Sequence, residues 1–195
     1  MINDAIRFIL DALFHLFIMT VLLRFWMQAF RAPTRNPIAQ FTMALTDFAV
    51  RPLRRIIPGL LNLDWASLVV AWVFEVILLV LLALLQGKGL NGAVFSVLLF
   101  LGFVRLIRLS IYVFMGAILL HALLSWVSPR GNHPMEPFFA ALSRPFLAPF
   151  RRAIPLIGGV DLSPLLALIA FQLVLMLPVA WLEATTARML TRAII

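Results

Sequence analysis

The sequence predicts an all-α membrane protein built from two tandem repeats, each with two transmembrane helices joined by a loop that carries an amphipathic interfacial helix. Composition is the first reason, because 64% of the 195 residues are hydrophobic, the mean hydropathy is +1.07 and only 12% are charged. Soluble proteins contain about 45 to 50% apolar residues. Four long apolar runs predict the spans, and an internal repeat predicts how they pair.

The internal repeat is centred on a basic motif bounded by prolines. Residues 52–58 read PLRRIIP, and residues 149–155, 97 positions later, read PFRRAIP. With this offset and no gap, 36–68 aligns with 133–165, and 11 of the 33 positions are identical. A match of this length indicates a duplicated structural unit. It divides the chain into a first repeat at 1–86, a glycine-containing join at 87–97 and a second repeat at 98–195.

The first repeat is predicted to begin with a span at 12–30. Asn36 followed by Pro37 is typical of a helix start, because asparagine caps free amides and proline suits the first helical position. Apolar residues then recur on one side of the helix, which predicts an amphipathic helix lying among the lipid headgroups. Pro52 is expected to bend or end this helix. The second span is predicted at 65–85.

The third span is the least regular part of the pattern. The apolar stretch 93–127 would be about 52 Å long as one helix, whereas the hydrocarbon core is about 30 Å thick. We therefore expect the chain either to change direction or to leave the hydrocarbon core near Arg105 and Arg108, and we place the third span at 109–127.

The second loop helix and the fourth span complete the second repeat. The loop helix is predicted from Pro134 or Pro137 to Arg152, and internal prolines are expected to make it more broken than its counterpart. The fourth span is predicted at 165–182.

The distribution of basic residues predicts the topology. Four spans place both termini on one side and both loops on the other. The loops contain nine arginines, five in 30–64 and four in 128–162, whereas the termini and the join contain four basic residues, or six with Arg105 and Arg108. Because lysine and arginine are enriched in cytoplasmic loops, this balance favours cytoplasmic loops and external termini.

Each repeat carries polar side chains at matching positions inside its spans. Arg24 corresponds to His121, and Glu75 corresponds to Gln172. Helix lengths place Arg24 and Glu75 at intermediate depth, so we expect an ion pair between them. Two interpretations are open. Charged groups in hydrocarbon often line an ion or proton path, and polar contacts between helices also hold helices together.

The arginine motif is a candidate site for lipid headgroups or for a partner protein, since its flanking prolines fix the direction of the backbone. Alternatively, the arginines only anchor the loops and set the topology. The net charge of +8 on an apolar background indicates anionic headgroups as partners rather than nucleic acid. A membrane-protein partner and a second copy of the chain are further candidates. The motif residues are Pro52, Arg54, Arg55, Pro58, Pro149, Arg151, Arg152 and Pro155.

Three side chains are predicted to cap helices, namely Asn36, Asp64 and Asp161. Each precedes a helical segment, where its oxygen can accept hydrogen bonds from free amides. The alternative for the two aspartates is a metal-binding role.

No catalytic motif is recognisable, whether G-x-S-x-G, a phosphate-binding loop or H-E-x-x-H. The absence of cysteine excludes disulfides and thiolate metal sites, and the three histidines are scattered along the chain. We expect no catalytic residues, no metal and no cofactor.

The motifs described above resemble those of the YggT family, in which hydrophobic segments surround an Asn-Pro helix start and a proline-flanked Arg-Arg motif. Asn36-Pro37 and 52–58 carry the pattern in the first copy and 149–155 in the second, where His133 replaces the asparagine. The resemblance implies a small multi-pass protein of the bacterial inner membrane. It also implies roles linked to osmotic stress and ion homeostasis, to cell division and envelope organisation, and, in photosynthetic relatives, to nucleoid distribution and cytochrome complex maturation.

These observations favour a non-enzymatic inner-membrane protein that acts in envelope or ion homeostasis, including osmotic stress. Assembly or organisation of other membrane proteins is one form that this role could take. The alternative is a small ion channel or transporter with a polar path between the repeats, lined by Arg24, Glu75, His121 and Gln172.

Overall fold

The fold consists of helices joined by short connections. A computed structural model of the chain describes residues 1–57, 59, 63–87, 89–127, 133–154 and 161–194, and this part contains no β-strand. A π-helical turn, Leu175–Val179, joins the last two helices. The helices are α1 (Ile2–Ala29), α2 (Pro37–Arg54), α3 (Trp65–Leu85), α4 (Gly92–Val127), α5 (Glu136–Ala153), α6 (Ser163–Val174) and α7 (Ala180–Ile194).

Within the described residues, four helices are long and apolar enough to cross a membrane, namely α1, α3, α4 and the continuous helix from α6 to α7. The shorter helices α2 and α5 follow α1 and α4. The order span, short helix, span therefore occurs twice, which confirms the predicted all-α membrane fold of two tandem repeats. The second span has the predicted bounds, whereas α1 begins at Ile2, ten residues before the predicted start.

The predicted change of direction in the third span is wrong, because α4 is one helix of 36 residues. No proline interrupts it, and Arg105 and Arg108 find carboxylate partners on neighbouring helices instead of leaving the bundle. Its length of about 54 Å exceeds the hydrocarbon thickness. At its N-terminal end, Val94 and Leu98 are buried in a cluster with the end of α3 and with Leu190.

Prolines interrupt the helices less than the sequence predicts. Pro52 lies inside α2, which continues to Arg54, and Pro145 and Pro149 lie inside a continuous α5. Pro178 lies in the π-helical turn of the fourth span. Because proline lacks an N–H group and its ring collides with the carbonyl one turn earlier, a local widening of the helix accommodates it.

Helix α4 packs against α1, α3, α5 and both parts of the fourth span. Gly102 permits the contact with α3, since a Cβ atom there would lie 2.9 Å from Cγ2 of Val76. Nearby, Nε1 of Trp72 donates a hydrogen bond of 3.1 Å to the carbonyl oxygen of Leu99. An aromatic cluster of Trp26, Phe30, Phe114, Phe146 and Phe171 joins the two repeats at the loop end of the bundle.

Candidate functional site

The first polar cluster lies where α1, α2 and α3 meet at the loop end of the first repeat, and we call it the loop-end cluster (Arg24, Asp47, Arg54, Asp64 and Ser67). At its centre is the Asp64 side chain, which is 2% exposed. Nε of Arg54 donates to Oδ1 of Asp64 at 3.1 Å, a second Arg54 nitrogen donates to Oδ2, and the Ser67 hydroxyl donates to Oδ2 at 2.5 Å. The carboxylate is therefore fully engaged.

These contacts affect the ionisation of Asp64 and Arg54, which both lie outside the spans. Burial of the Asp64 carboxyl acts to raise its pKa, but the hydrogen bonds from Arg54 and Ser67 outweigh burial, and the pKa lies below its ordinary value. The hydrogen bond to Asp64 in turn raises the pKa of Arg54. The pair is thus held in its charged form.

The predicted ion pair between Arg24 and Glu75 is wrong, because Arg24 belongs to the loop-end cluster. Its Nη1 donates to Oδ1 of Asp47 and to the Thr46 hydroxyl, both at 2.8 Å, and its Nε lies 3.7 Å from Oδ2 of Asp64. The guanidinium points toward the loop end, since long basic side chains extend toward the headgroup region.

The second repeat reproduces one element of this cluster. Nε of Arg151 donates to Oδ2 of Asp161 at 2.8 Å, and these residues correspond to Arg54 and Asp64. Burial acts to raise the Asp161 pKa, but hydrogen bonds from Ser163 and Arg151 outweigh it and lower the pKa. The first arginine of each motif therefore pairs with the aspartate ten residues later.

The structure places the three predicted helix caps at helix starts. The Asn36 side chain accepts a hydrogen bond of 2.9 Å from the Ala39 amide at the start of α2. Asp64 accepts one of 3.4 Å from the Ser67 amide at the start of α3. Asp161 lies one residue before the N-cap of α6, where it accepts a bond of 2.9 Å from the Ser163 amide.

The remaining motif residues have different surroundings. Arg55 and Arg152 are exposed, and neither forms an ion pair within the described residues. Pro52 and Pro149 lie inside helices. The predicted motif residues Pro58 and Pro155 lie outside the described residues. The second arginines are thus the members of the motif whose charges face outward.

The second polar cluster lies between the repeats at mid-depth, and we call it the mid-depth cluster (His15, Glu75, Arg105, Arg108 and Glu183). Glu75, the eleventh of the 21 residues of α3, is completely buried. Nη1 of Arg105 lies 3.4 Å from its Oε1, and Nε2 of His15 lies 3.8 Å from its Oε2. Oε2 has no hydrogen-bond partner in the described part of the chain.

An open cavity of about 370 Å³ lies beside the mid-depth cluster. Its polar lining comes from Asp11 and His15 on α1 and from Arg105, Arg108 and Tyr112 on α4. Arg108 also forms an ion pair with Glu183 on α7. Both repeats contribute charged side chains, so the cavity lies at their interface.

The structure does not bring the four intramembrane candidates together. Arg24 is in the loop-end cluster and Glu75 in the mid-depth cluster, as described above. His121 is partly buried on α4, and its Nδ1 has no partner among the described residues. Gln172 is exposed on α6. Within the residues that the structure describes, no three histidine, aspartate or glutamate side chains converge in a way that could hold a metal ion.

Comparison with known proteins places this arrangement in a family. The CCB3/YggT family model matches residues 3–85 and 100–182, which are the two halves of the helical bundle. The chain belongs to the CCB3/YggT family. No solved structure matches it.

Several curated bacterial relatives align with this CCB3/YggT chain over most of their length. An uncharacterized protein of Vibrio alginolyticus is 43% identical over 87% of this chain and 90% of its own. The uncharacterized protein PA0392 of Pseudomonas aeruginosa is 38% identical over 95% and 93%. The uncharacterized protein YggT of Escherichia coli K12 is 32% identical over 93% of each chain.

Sequence reasoning missed four charged or titratable partners in this CCB3/YggT chain, namely His15, Asp47, Arg105 and Glu183. His15 follows Asp11 by one helical turn, which is a signal for a polar face on α1. The sequence alone gives no sign of the contact of Arg105 with Glu75, because the two residues are 30 positions apart and lie on different helices. Spacing along one helix carries no information about such a partner.

Proposed function

We propose that this protein is a non-enzymatic protein of the bacterial inner membrane that acts in ion homeostasis, and that the mid-depth cluster moves protons or monovalent cations. The observation that carries the proposal is the buried, incompletely bonded carboxylate of Glu75 beside a polar cavity between the repeats. Ionisable groups at this depth are costly and typically line ion or proton pathways.

The contrast between the two clusters supports this assignment. In the loop-end cluster both carboxylate oxygens of Asp64 accept hydrogen bonds, as expected for a contact that holds helices together. In the mid-depth cluster Oε2 of Glu75 has no such bond in the described part of the chain. A carboxylate oxygen without a hydrogen bond is available to bind a proton or a cation.

The neighbours of Glu75 suit the handling of protons. Nε2 of His15 lies 3.8 Å from Oε2 and His15 also lines the cavity, so an imidazole stands between the buried carboxylate and the cavity. Ile18, Leu22 and Ala71 lie between the two polar clusters along α1 and α3 and are completely buried. This apolar layer closes the path toward the loop end in the present conformation.

Ion flux through liposomes that contain the purified protein tests the proposal. Proton and potassium fluxes are measured separately for the wild type, for Glu75→Gln and for Gln172→Leu. The last variant is the matched control, because Gln172 is the exposed counterpart of Glu75 in the second repeat. We expect Glu75→Gln to lower the flux at least tenfold and Gln172→Leu to leave it unchanged. Absence of flux from folded wild-type protein would contradict the proposal.

A second candidate function is the assembly or organisation of other membrane proteins. It rests on the exposed surface at the loop end, where Arg55 and Arg152 are exposed and Phe41 and Phe48 are 65% and 67% exposed. Basic and aromatic side chains of this kind suit both a headgroup layer and a protein partner. Crosslinking in membranes tests this function. It should capture one defined partner protein, and the crosslink should be lost in an Arg55→Gln, Arg152→Gln double variant.

A further inference from the structure

A second open cavity, distinct from the one at mid-depth, lies at the loop end of the first repeat. It has a volume of about 460 Å³ and is formed by the end of α1, by the connection that follows it and by α2. This volume falls in the range of about 300 to 1,000 Å³ that is typical of sites for small ligands. We call it the arginine cavity, and its polar lining consists of Arg24, Gln28, Arg31, Thr34 and Arg54.

The three arginines converge from different parts of the chain and keep part of their donor capacity. Arg24 uses Nη1 and Nε for its contacts in the loop-end cluster, and Arg54 uses Nε and Nη2. A guanidinium has five N–H donors, so each retains donors for a ligand. Arg31 forms no ion pair within the described residues. The two carboxylates, Asp47 and Asp64, pair with Arg24 and Arg54.

Arg31 has a strained backbone. Its φ is 51°, in the left-handed region, and it is the one non-glycine residue with positive φ in the described part of the chain. Its amide donates to the Gln28 carbonyl at 3.2 Å and the Ala32 amide donates to the Met27 carbonyl at 2.8 Å, which is the helix-terminating pattern that normally places glycine at this position. A backbone outlier of this kind motivates a functional hypothesis for the side chain that it carries.

We propose that the arginine cavity binds the phosphate group of an anionic ligand. Arg24 and Arg54 already pair with carboxylates, so Arg31 is the arginine whose charge is available to the ligand. Several guanidiniums around one space suit phosphate, which accepts bidentate hydrogen bonds from arginine through several oxygens. The cavity lies at the end of a span, the level of lipid headgroups. Phosphate chemistry fits both a phospholipid headgroup and free inorganic phosphate.

The second repeat provides an internal comparison. At the positions equivalent to Arg24 and Arg31 the sequence has His121 and Ser128, and only Arg54 has an arginine counterpart, Arg151. The set of three arginines that lines the cavity is thus confined to the first repeat. Arg24 and Arg31 lie outside the arginine motif. If the motif only anchored the loop and set the topology, these two additional arginines would not be needed beside it.

Binding measurements on the full chain in detergent test the proposal with two probes. Calorimetry measures affinity for inorganic phosphate. Native mass spectrometry compares phosphatidylglycerol with oleate, an anionic amphiphile without phosphate. Arg31→Gln removes the charge, and Arg31→Gly removes it while relieving the backbone strain, so Arg31→Gly is expected to fold at least as stably as the wild type. Arg35→Gln is the matched control, because Arg35 is exposed and does not line the cavity.

We expect both Arg31 variants to weaken binding about tenfold, the effect of losing one charge-assisted hydrogen bond, and Arg35→Gln to leave it unchanged. Preferential binding of phosphatidylglycerol over oleate with this pattern identifies a headgroup site. Binding of inorganic phosphate with this pattern and no lipid preference identifies a site for free phosphate. Equal effects of Arg31→Gln and Arg35→Gln, or no binding of either probe, would overturn the proposal.

Discussion

Asp64 and Asp161 occupy equivalent positions but differ in burial, which leads to a prediction about stability. The Asp64 side chain is 2% exposed and the Asp161 side chain is 31% exposed. Removing the charge of a buried carboxylate leaves the groups that donate hydrogen bonds to it without their charged acceptor. Exposed ion pairs, by contrast, contribute little to stability. We expect Asp64→Asn to lower the free energy of unfolding by about 2 kcal/mol and Asp161→Asn by less than about 1 kcal/mol, measured by denaturant titration in detergent.

The pH dependence of the same two variants provides the control. Because the pKa of Asp64 is lowered by folding, its contribution to stability is fully present above the unfolded value of about 3.9 and is lost as the pH falls through the folded pKa. The difference between wild type and Asp64→Asn should therefore be constant from pH 5 to 8 and shrink below about pH 4. Equal losses in the two variants at neutral pH would contradict this account.

Local residue patterns were predictable, but partners across the bundle were not. The cap at Asn36 depends on the next three residues, so sequence spacing was sufficient to predict it. Arg24 has two carboxylates within 4 Å and Glu75 is not one of them, and this choice depends on how α1, α2 and α3 are packed. The depth of Arg24 along α1 limits which carboxylates it can reach, but it does not determine which of them becomes its partner.

At the scale of elements, the contact between α3 and α4 depends on the absence of a side chain at Gly102. A Cβ atom there would lie 2.9 Å from Cγ2 of Val76 and 3.5 Å from Nε1 of Trp72. Valine is restricted in a helix and cannot easily move away. We expect Gly102→Ala to lower the free energy of unfolding by about 1 to 3 kcal/mol, the usual effect of overpacking, as measured by denaturant titration.

Gly116 on the same helix provides the matched control. A Cβ atom at Gly116 would meet no atom within 4 Å, so Gly116→Ala should stabilise the protein by about 0.5 to 1 kcal/mol through helix propensity. Val76→Ala combined with Gly102→Ala should recover part of the loss, because it removes the colliding methyl group. The contact would be less tight than described if Gly102→Ala had the same effect as Gly116→Ala.

Helix α4 shows how element boundaries depend on the rest of the molecule. Its apolar pattern predicted the helix, but its length and two arginines suggested a break. The break is unnecessary because Glu75 and Glu183 supply opposite charges from α3 and α7, and because the end of α3 and Leu190 cover its N-terminal turns. The compensating groups lie far away in sequence, so the pattern of α4 alone could not reveal them.

At the scale of the whole molecule, the two repeats share an architecture but have complementary charges. The Arg–Asp contact of the loop occurs in both copies. Glu75 in the first repeat corresponds to the neutral Gln172, and Arg105 in the second repeat corresponds to Phe8. The first repeat therefore supplies the buried carboxylate of Glu75 and the second supplies the arginine beside it, so the mid-depth cluster requires both repeats.

The topology of the whole chain can be tested with single cysteines, because the natural sequence has none. Thr34→Cys and Pro137→Cys mark the two loops, and Asn3→Cys and Thr191→Cys mark the termini, with no basic residue removed and all four positions exposed. Nine arginines lie in the loops, and Arg105 and Arg108 pair with carboxylates in the bundle, which leaves four basic residues on the other side. This balance favours cytoplasmic loops.

A membrane-impermeant maleimide applied to intact spheroplasts should therefore label the two terminal cysteines and should label the two loop cysteines only after lysis. Labelling of both loops in intact spheroplasts would show that the orientation is the reverse of the expected one, and it would still agree with the four-span fold. Labelling of one loop but not the other would contradict the four-span count itself, since two helical repeats of the same design must return the chain to the same side. The measurement thus separates the fold, which follows from helix length and hydropathy, from its orientation, which follows from the distribution of arginine.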